Sequence, residues 1–417
     1  MDDLFGLELS TRSLDAAREF NLGLERLLYQ QDGAVAFFEG ALAHDPEFGF
    51  ASAAGGIALR LEGQMARGAV ALSKAAASAL NDRESSLLQA ILAMAAVRFD
   101  EADALIESHL TRWPRDALAL MLHGSILNIF SSRPDRDVQL LRTVEACLPA
   151  FEGHPYVLGQ FALALEENRT FTEAHTVAVE AVREVPNNAR AAHAAAHTYF
   201  ETGQLDECEE FVESWIRQWE NAGPFTCHLV WHRALSALTR GDTANAKRGL
   251  ADILAYKGKS LAVLSDAASL AWRLRLDGED VGGVWDELEP LPDVVGNRFG
   301  NAHRVMVLAA RSDFDSLEPY AEKLFRAGGA NRETARWARA VKSFTSGDVA
   351  ESARLLDELE PTFRVLGGSQ AQTDVFRETH ITALERCGRR SDARRQIERR
   401  LRQRPAHRDE LWLDRLR

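Results

Sequence analysis

The sequence predicts an all-α fold, a right-handed α-solenoid of about eleven helical hairpins. Three observations predict it. Small residues and prolines recur with a period near 34 residues, alanine-rich apolar runs favour helix over strand, and no alternation of β-branched residues of useful length appears. Because a single hairpin cannot bury its apolar face alone, such units must stack on one another along the chain.

The stretch from residue 155 to residue 188 shows the repeat most clearly. Ala162, Ala174 and Ala181 stand at repeat positions 8, 20 and 27, and Pro186 stands at position 32. In a tetratricopeptide hairpin, small residues at those three positions let the two helices approach closely, and the proline ends the second helix. We therefore expect helical hairpins of tetratricopeptide type.

The same frame extends over the whole chain. Unit starts fall near Asp15, Gly49, Arg83, Ala117, Pro155, Ala189, Cys227, Leu264, Arg298, Arg332 and Asp374. A solenoid adds units without a new core, so we expect one continuous domain over 1–417. It divides into divergent repeats at 1–150, central histidine-rich repeats at 151–330, and C-terminal repeats with an arginine-rich capping helix at 331–417.

Charge is distributed unevenly. The chain carries a net charge of −13, which argues against general nucleic-acid affinity, yet the segment from Arg386 to Arg417 holds twelve arginines against five acidic residues. Such a basic end helix could bind RNA, an acidic partner or the acidic body of the protein itself. The other interpretation is the solvated capping helix that solenoids need at their ends.

Nothing in the sequence predicts export or a membrane span. The N-terminus MDDLFGLELS lacks the basic start and apolar core of a signal peptide, and no apolar run is long enough to cross a bilayer. The four cysteines (Cys147, Cys208, Cys227 and Cys387) show no paired spacing, so neither a disulfide framework nor a thiolate zinc site is indicated. We expect a cytoplasmic protein.

Two pairs of histidines with helical spacing indicate a functional site. His193 and His197 stand at repeat positions 5 and 9 of one unit, and His228 and His232 stand at positions 2 and 6 of the next. Residues four apart share a helix face, and these positions line the concave side of a tetratricopeptide hairpin. Glu201 follows at position 13. All five side chains are therefore expected to face one hollow.

Neighbouring units place further polar side chains on the same concave stripe. They are Tyr156, Gln160, Glu166 and Glu167 upstream, and Ser269, Trp272 and His303 downstream, with Asp266 one position away. A purely structural face does not require such a polar wall. By contrast, Trp215 and Trp231 fall at positions that predict packing in the core.

Three interpretations of the histidines stay open at this point. The imidazoles could bind a divalent metal such as zinc together with Glu201, leaving an open position for water or substrate. They could act without metal as general acids and bases, with Glu201 or Asp266 orienting a ring tautomer. They could also simply fill a narrow part of the superhelix. The HxxxH spacing alone does not decide, because the metalloprotease glutamate is replaced by Ala194 and Leu229.

Several longer segments carry a resemblance to a known family. They are LALEENRTFTEAHTVAVEAV from residue 163, AAHAAAHTYFETGQLDE from 191, HLVWHRALSALTRGD from 228, DAASLAWRLRLDG from 266, FGNAH from 299 and GGSQAQTDVF from 367. Over roughly the last two thirds of the chain, this pattern resembles the tetratricopeptide repeat protein 38 family. The resemblance implies an all-helical repeat superhelix with a polar centre, and it implies no particular reaction.

The GGSQAQTDVF segment falls in the longest interval between unit starts. It contains Ser369, Gln370, Gln372 and Asp374, and Gln370 stands where the family pattern has histidine. Long loops on solenoids often fold over the concave face, so this one is expected to form a lid or pocket wall. The alternative is a surface loop with Asp374 as the N-cap of the last hairpin.

These observations predict a closed, histidine-rich pocket in the central units that binds a small molecule or a short peptide end. The expected catalytic residues are His193, His197, His228, His232, Glu201 and Asp266, and the expected substrate-binding residues are Tyr156, Gln160, Ser269, Trp272, His303, Gln370, Gln372 and Asp374. Hydrolase or transferase chemistry would suit such a cluster, with a divalent metal such as zinc allowed but not required. The alternative is an interaction scaffold with a partner peptide along an open groove, and a homo-oligomer is compatible with either.

Overall fold

The computed structural model describes residues 1–219, 223–256 and 258–416, without the side chain of Pro224. Within these residues the chain forms helices and no β-strand, apart from one isolated bridge between Asp2 and Glu8. The expectation of an all-α fold is confirmed.

Eleven helical hairpins follow one another along the described chain. Their first helices are α1 (Leu14–Leu28), α3 (Gly49–Leu61), α5 (Asp82–Ala95), α7 (Ala117–Ser125), α9 (Pro155–Glu167), α11 (Ala189–Glu201), α13 (Gly223–Thr239), α15 (Leu261–Leu276), α17 (Arg298–Ala310), α19 (Asn331–Ser346) and α21 (Gln370–Arg386). Their second helices are α2 (Ala34–His44), α4 (Met65–Ala76), α6 (Phe99–Arg112), α8 (Arg136–Phe151), α10 (Phe171–Glu184), α12 (Leu205–Gln218), α14 (Thr243–Ala255), α16 (Val284–Glu287), α18 (Phe314–Ala327), α20 (Val349–Leu359) and α22 (Arg390–Gln403), and α23 (His407–Arg415) ends the chain. A π-helical segment (Ile126–Phe130) follows α7, and a 3-10 segment (Glu360–Leu366) follows α20.

The hairpin starts agree closely with the sequence frame. Gly49, Ala117, Pro155, Ala189 and Arg298 each begin a helix at the predicted residue, and the other six starts lie within four residues of the prediction. Local chemistry explains this accuracy, because a proline at the first helical position and side-chain caps such as Asn188 mark helix starts in the sequence.

Small residues hold the helices of each unit close together. Ala162, Ala174 and Ala181 are fully buried in the unit where the repeat is clearest. At Gly249 the approach is closer still, because an added Cβ would lie 2.5 Å from the Cβ of Ala234 on the preceding helix. A larger side chain at such a position would force the two helices apart.

The first helices of the central units lie in the interior and are buried on nearly every side. In α11 every residue except Tyr199 is buried, whereas the second helix α10 buries only Ala174, Ala178 and Ala181. An inner helix that is hidden all round carries small and polar residues where a surface helix would carry charges. The concave side of these central units is therefore filled rather than open.

Both ends of the chain close over the central units. Near the N-terminus, the carbonyl of Tyr29 accepts a hydrogen bond of 3.3 Å from the Ala189 amide, and the Gln31 side chain donates to the carbonyl of Asn187 at 3.1 Å. At the C-terminus, Arg408 binds both carboxylate oxygens of Asp277 at 2.7 and 2.8 Å. These contacts join segments that are more than 100 residues apart in sequence.

The arginine-rich end has one face in the protein and one in solvent. Arg400, Arg404 and Arg408 are buried and pair with acidic residues, among them Asp409 and Glu378. This face therefore binds the acidic body of the protein itself, one of the alternatives that the sequence left open. The tail is not only a solvated cap.

No helix in the described ranges combines the length and the apolar character that crossing a membrane would require.

Candidate functional site: a buried histidine cluster

Helices α11 and α13 bring the two histidine pairs together. The ring centroid of His193 lies 4.4 Å from that of His197, 4.7 Å from that of His228 and 5.1 Å from that of His232. One ring nitrogen from each of the four lies within 4.8 Å of the corresponding nitrogens of the others. The register inferred from the repeat therefore places the four rings in one cluster, as expected.

Small residues around the rings allow this close assembly. Ala194, Ala195 and Ala196 separate the two histidines of α11, and all three are fully buried. With only methyl groups between the rings, α11 can pack closely on both neighbouring first helices. The same alanines leave the imidazoles as the large side chains on this part of the helix.

Asp266 of α15 contacts His228. The Nδ1 atom of His228 lies 2.8 Å from Oδ2 of Asp266 in hydrogen-bonding geometry, and the ring stacks on Trp231 at 5.4 Å with an interplanar angle of 8°. Because a carboxylate accepts, Nδ1 carries the proton and Nε2 keeps its lone pair. That Nε2 atom lies 3.0 Å from Nε2 of His193 in hydrogen-bonding geometry, so the His193 ring is the donor and His228 the acceptor of this contact. Asp266 thus contacts a histidine of the cluster, and its predicted role in orienting that ring remains a prediction.

His197 lies beside two carboxylates that end helix α9. Its Nδ1 atom is 3.1 Å from Oε2 of Glu166, and Glu167 lies close enough to form a second group of potential metal ligands with them. Sequence reasoning placed both glutamates on the concave stripe without assigning them a role. Two adjacent acids on a helix that is otherwise buried were the signal that could have identified them.

Burial controls the ionisation of these groups. Loss of solvent lowers the pKa of His193 and His232 well below the usual value and lowers the pKa of His197 to about 4. Burial, followed by the charge of its neighbour Glu166, raises the pKa of Glu167 to about 7. These three imidazoles are therefore neutral at pH 7, which is the form that binds metals.

Several nitrogen atoms of the cluster lack a hydrogen-bond partner among the described residues. They are Nδ1 of His193 and both ring nitrogens of His197 and of His232. A buried polar atom without a partner costs about 1–3 kcal/mol, so five such atoms in one cluster need a physical explanation.

Glu201 does not orient a histidine, contrary to expectation. Its carboxylate accepts a hydrogen bond from Nη1 of Arg404 at 2.7 Å. The sequence frame placed Glu201 on the correct face but could not show that an arginine from the C-terminal helices returns to meet it. Glu166 is the carboxylate that lies against His197 instead.

Tyr156 and Gln160 form part of the packing between α7 and α9. The Tyr156 hydroxyl donates to the carbonyl of Ala117 at 3.1 Å and accepts from the Gln160 side chain at 3.0 Å. Both polar groups are thus hydrogen-bonded inside the protein, and neither hydrogen bond is to the histidine cluster. The structure supplies no substrate role for them.

Three further expected site residues also have internal partners. Ser269 accepts from Arg273, and Trp272 is fully buried, where its Nε1 donates to Thr379 at 2.9 Å, so it cannot stack on a ligand from the concave side. The Nδ1 of His303 donates to the carbonyl of Phe299 at 2.8 Å. Burial lowers the pKa of His303 to about 4.

The expected lid is the first turn of a helix. Helix α21 begins at Gln370 because Ser369 caps it and Gln372 completes a capping box, so the predicted loop and the predicted cap at Asp374 are both wrong. Gln370 donates to the carbonyl of Glu167 at 3.2 Å, and Asp374 accepts from Arg404 at 2.7 Å. The first contact joins α21 to α9 of the central units, and the second joins it to the segment that follows α22.

The spacing of the four rings decides what the cluster can hold. Centroid separations of 4.3–5.1 Å place the rings in contact with one another. An organic ligand does not fit between rings at this distance, whereas a single metal ion does. The space between the four rings is therefore not a small-molecule cavity, and the predicted pocket in the central units remains a prediction.

Comparisons with known proteins give a loose likeness of fold. No family model matches the chain. Among solved structures it is similar to the human IFIT1 dimer with m7Gppp-AAAA, at 12% identity over 94% of this chain and 91% of that chain, with a TM-score of 0.41. It is also similar to yeast Tom70, at 12% identity over 96% and 94%, with a TM-score of 0.37. At these scores the likeness carries no conclusion, and the chain's own eleven hairpins are what make it an all-α helical-repeat protein.

Proposed function

We propose that this protein binds a divalent transition-metal ion through the histidines of α11 and α13. The observation that carries the proposal is the pair of Nε2 atoms of His193 and His228, 3.0 Å apart, with Asp266 holding the tautomer of His228 that presents a lone pair. Two nitrogens bound to one tetrahedral zinc ion at ~2.0–2.1 Å would lie roughly 3.3 Å apart. The two Nε2 atoms would therefore need to move apart only slightly to bind one zinc ion.

The donor set favours borderline metals. Imidazole nitrogen suits Zn²⁺, Cu²⁺, Ni²⁺ and Fe²⁺ rather than Mg²⁺ or Ca²⁺. A carboxylate on the far nitrogen of a ligating histidine, as Asp266 provides for His228, is the usual outer support of such a site. Zn²⁺ is therefore the probe with which to begin.

Metal binding also accounts for the unpartnered nitrogens better than a purely structural cluster does. If His197 and His232 only filled space, all four of their ring nitrogens would remain without partners, whereas an ion binds one nitrogen of each ring. A bound ion would accept lone pairs from up to four neutral imidazoles at once, and the lowered pKa values keep those lone pairs free of protons at pH 7.

The proposal is tested with the whole chain, purified without an affinity tag and treated with a chelator. Zn²⁺ titrated into it should bind tightly by calorimetry and raise the melting midpoint, because a ligand of the folded state stabilises it. His232→Gln should weaken Zn²⁺ binding at least 100-fold. His175→Gln is the matched control, since this half-buried ring bonds to Thr198 outside the cluster.

Two results would count against a metal site here. One is a wild-type protein that binds no Zn²⁺, Cu²⁺, Ni²⁺ or Fe²⁺ in the presence of a competing chelator. The other is a His232→Gln protein that binds Zn²⁺ as tightly as the His175→Gln control.

The interaction scaffold is a second candidate, supported by a different surface. An outer groove of about 370 Å³ on α22 is lined by Arg389, Arg395, Arg399 and Arg402 together with Asp357 and Asp392. Glu360 pairs with Arg399, so four arginines against three acids leave an excess of one positive charge, which suits an acidic peptide segment. Fluorescence anisotropy with a labelled oligoglutamate should show binding that salt weakens and that the Arg395→Glu, Arg402→Glu double variant loses. Equal binding by wild type and double variant would exclude the groove as the docking surface.

A further inference from the structure

Two carboxylates beside the histidine cluster are buried with little compensation. Glu166 and Glu167 end helix α9, and each side chain is about 2% exposed. Oε2 of Glu166 and both carboxylate oxygens of Glu167 have no hydrogen-bond partner among the described residues. Placing carboxylate oxygens in the interior without partners is costly, so a cation is the natural complement of this pair.

The nearest guanidinium does not supply that complement. Nη2 of Arg364 is 3.5 Å from Oε2 of Glu167, but the same nitrogen lies 2.6 and 2.8 Å from the two oxygens of Asp137. Its hydrogen bonds thus go to Asp137 rather than to Glu167. Arg364 therefore leaves each glutamate with carboxylate oxygen that has no hydrogen-bond partner.

His197 completes a set of three donors. Its Nδ1 lies 3.1 Å from Oε2 of Glu166, yet neither of these two buried atoms is in a hydrogen bond. The comparison with His228 and Asp266 is direct, because there the same kind of pair, at 2.8 Å, does have hydrogen-bonding geometry. Nδ1 of His197 and Oε2 of Glu166 are therefore close to each other, but no hydrogen is aligned between them.

The distance of 3.1 Å between Nδ1 of His197 and Oε2 of Glu166 matches the distance between two ligands of one ion. Adjacent donors on an octahedral cation, each at ~2.1 Å, lie roughly 3.0 Å apart. One atom each from Glu166, Glu167 and His197 lies within 4.8 Å of the other two, and all three side chains are buried. Two carboxylates and one imidazole form a donor set that suits Mn²⁺, Fe²⁺ or Zn²⁺.

We propose a second divalent-cation site, distinct from the first, in which Glu166, Glu167 and Nδ1 of His197 are the ligands. The inference rests on the proposed function, because it divides the histidines between two ions. A neutral imidazole has one lone pair, so His197 bound through Nδ1 leaves His193, His228 and His232 for the first ion. Three histidines and an open fourth position are the arrangement of catalytic zinc, where a bound water becomes a nucleophile.

The test is metal stoichiometry of the untagged, chelator-treated full chain. With Zn²⁺ in slight excess and a competing chelator present, elemental analysis should find two equivalents in wild type and one in Glu167→Gln. Glu84→Gln is the matched control, since Glu84 is a fully buried glutamate that completes the capping box of α5 in another hairpin, and it should retain two equivalents. Circular dichroism and melting midpoints establish that each variant is folded.

The outcomes separate this inference from the proposal on which it rests. One Zn²⁺ equivalent in wild type, lost in His232→Gln and kept in Glu167→Gln, overturns the second site and leaves the first. No bound Zn²⁺ in wild type overturns both.

If Glu167→Gln does not fold, wild type preloaded with one equivalent of Zn²⁺ is titrated with Mn²⁺ and followed by electron paramagnetic resonance. Capture of one Mn²⁺ supports the second site, and no capture overturns it.

Discussion

Asp266 is the residue whose single hydrogen bond decides how His228 presents its ring. We predict that Asp266→Asn weakens Zn²⁺ binding by about 10- to 100-fold, because the variant loses the charge that keeps Nδ1 protonated and makes Nε2 a better donor. Calorimetric titration measures the change in Kd. Asp252→Asn is the control, since Asp252 is exposed and pairs with Arg233. Equal Kd values for the two variants would show that Asp266 does not support a ligand.

Buried histidines also set the pH dependence of the metal-free protein. Burial lowers the pKa of His197 and of His303 from 6.5 to about 4, so below pH 6.5 the unfolded chain takes up protons that the folded chain cannot. The free energy of unfolding should therefore fall as the pH drops from 6.5 to 4. Glu167 acts in the opposite direction: its pKa is raised to about 7, so its stabilising contribution is present below pH 4.5 and is lost as the pH rises to 7.

Urea unfolding of the chelator-treated protein at pH 7 and pH 4.5 measures this dependence. His303→Gln isolates one contribution, because His303 lies outside the four-ring cluster. The loss of stability between the two pH values should be roughly 2.5 kcal/mol smaller in His303→Gln than in wild type. A loss of the same size in both proteins would mean that His303 is not held neutral by the fold.

At the scale of single elements, the last two helices are attached by buried ion pairs. Arg404 bridges Glu201 of α11 and Asp374 of α21, at 2.7 Å to each. The pairs Arg400–Asp409 and Arg408–Asp277 extend the same network. Hydrogen-bonded pairs of this kind add little when intact, but removing one partner leaves a buried charge uncompensated. The arginines of α22 therefore have different roles on its two faces.

We predict that Arg404→Met lowers the free energy of unfolding by about 3 kcal/mol or more, because Glu201 then loses its partner in the interior. Arg402→Met, on the exposed side of α22, should change it by less than about 0.5 kcal/mol. Urea denaturation at pH 7 compares them. Similar stability of the two variants would contradict the assignment of Arg404 as an internal anchor.

Elements also show where sequence reasoning works well. Helix α11 begins at Ala189, as the frame predicts, because Asn188 caps it and small residues recur in phase with its neighbours. Helix α21 begins before the predicted residue, because the capping box of Ser369 and Gln372 starts the helix ahead of Asp374. Periodicity locates a helix, whereas local capping chemistry fixes its first residue.

At the scale of the whole molecule, contacts between units that are distant in sequence couple the two parts of the chain. Arg364, ahead of α21, binds both oxygens of Asp137 in α8, and the Arg136 guanidinium donates to the carbonyl of Arg364 at 3.3 Å. An ideal solenoid has contacts between adjacent units only and loses cooperativity as it lengthens. The bond between Arg364 and Asp137 joins residues more than 200 positions apart in sequence, so it couples units that would be independent in an ideal solenoid.

We predict a single unfolding transition in urea for the full chain, as expected of one continuous domain. All eight tryptophans lie at or after Trp113, so fluorescence reports the central and C-terminal units, whereas circular dichroism reports every helix. The two curves should coincide in wild type and separate in the Asp137→Ala, Arg364→Ala double variant. Separate curves in wild type would show that the divergent N-terminal units unfold independently.

The sequence by itself determined the helical hairpins, their number and the register that aims His193, His197, His228 and His232 at one place. These properties depend on spacing along the chain, and a period of small residues and prolines records spacing directly. Only the tertiary structure decided which partners those side chains meet. Arg404 pairs with Glu201, Glu166 lies against His197, and the histidine rings contact one another. No local sequence pattern encodes these contacts, because the path of a superhelix depends on small angles summed over many units.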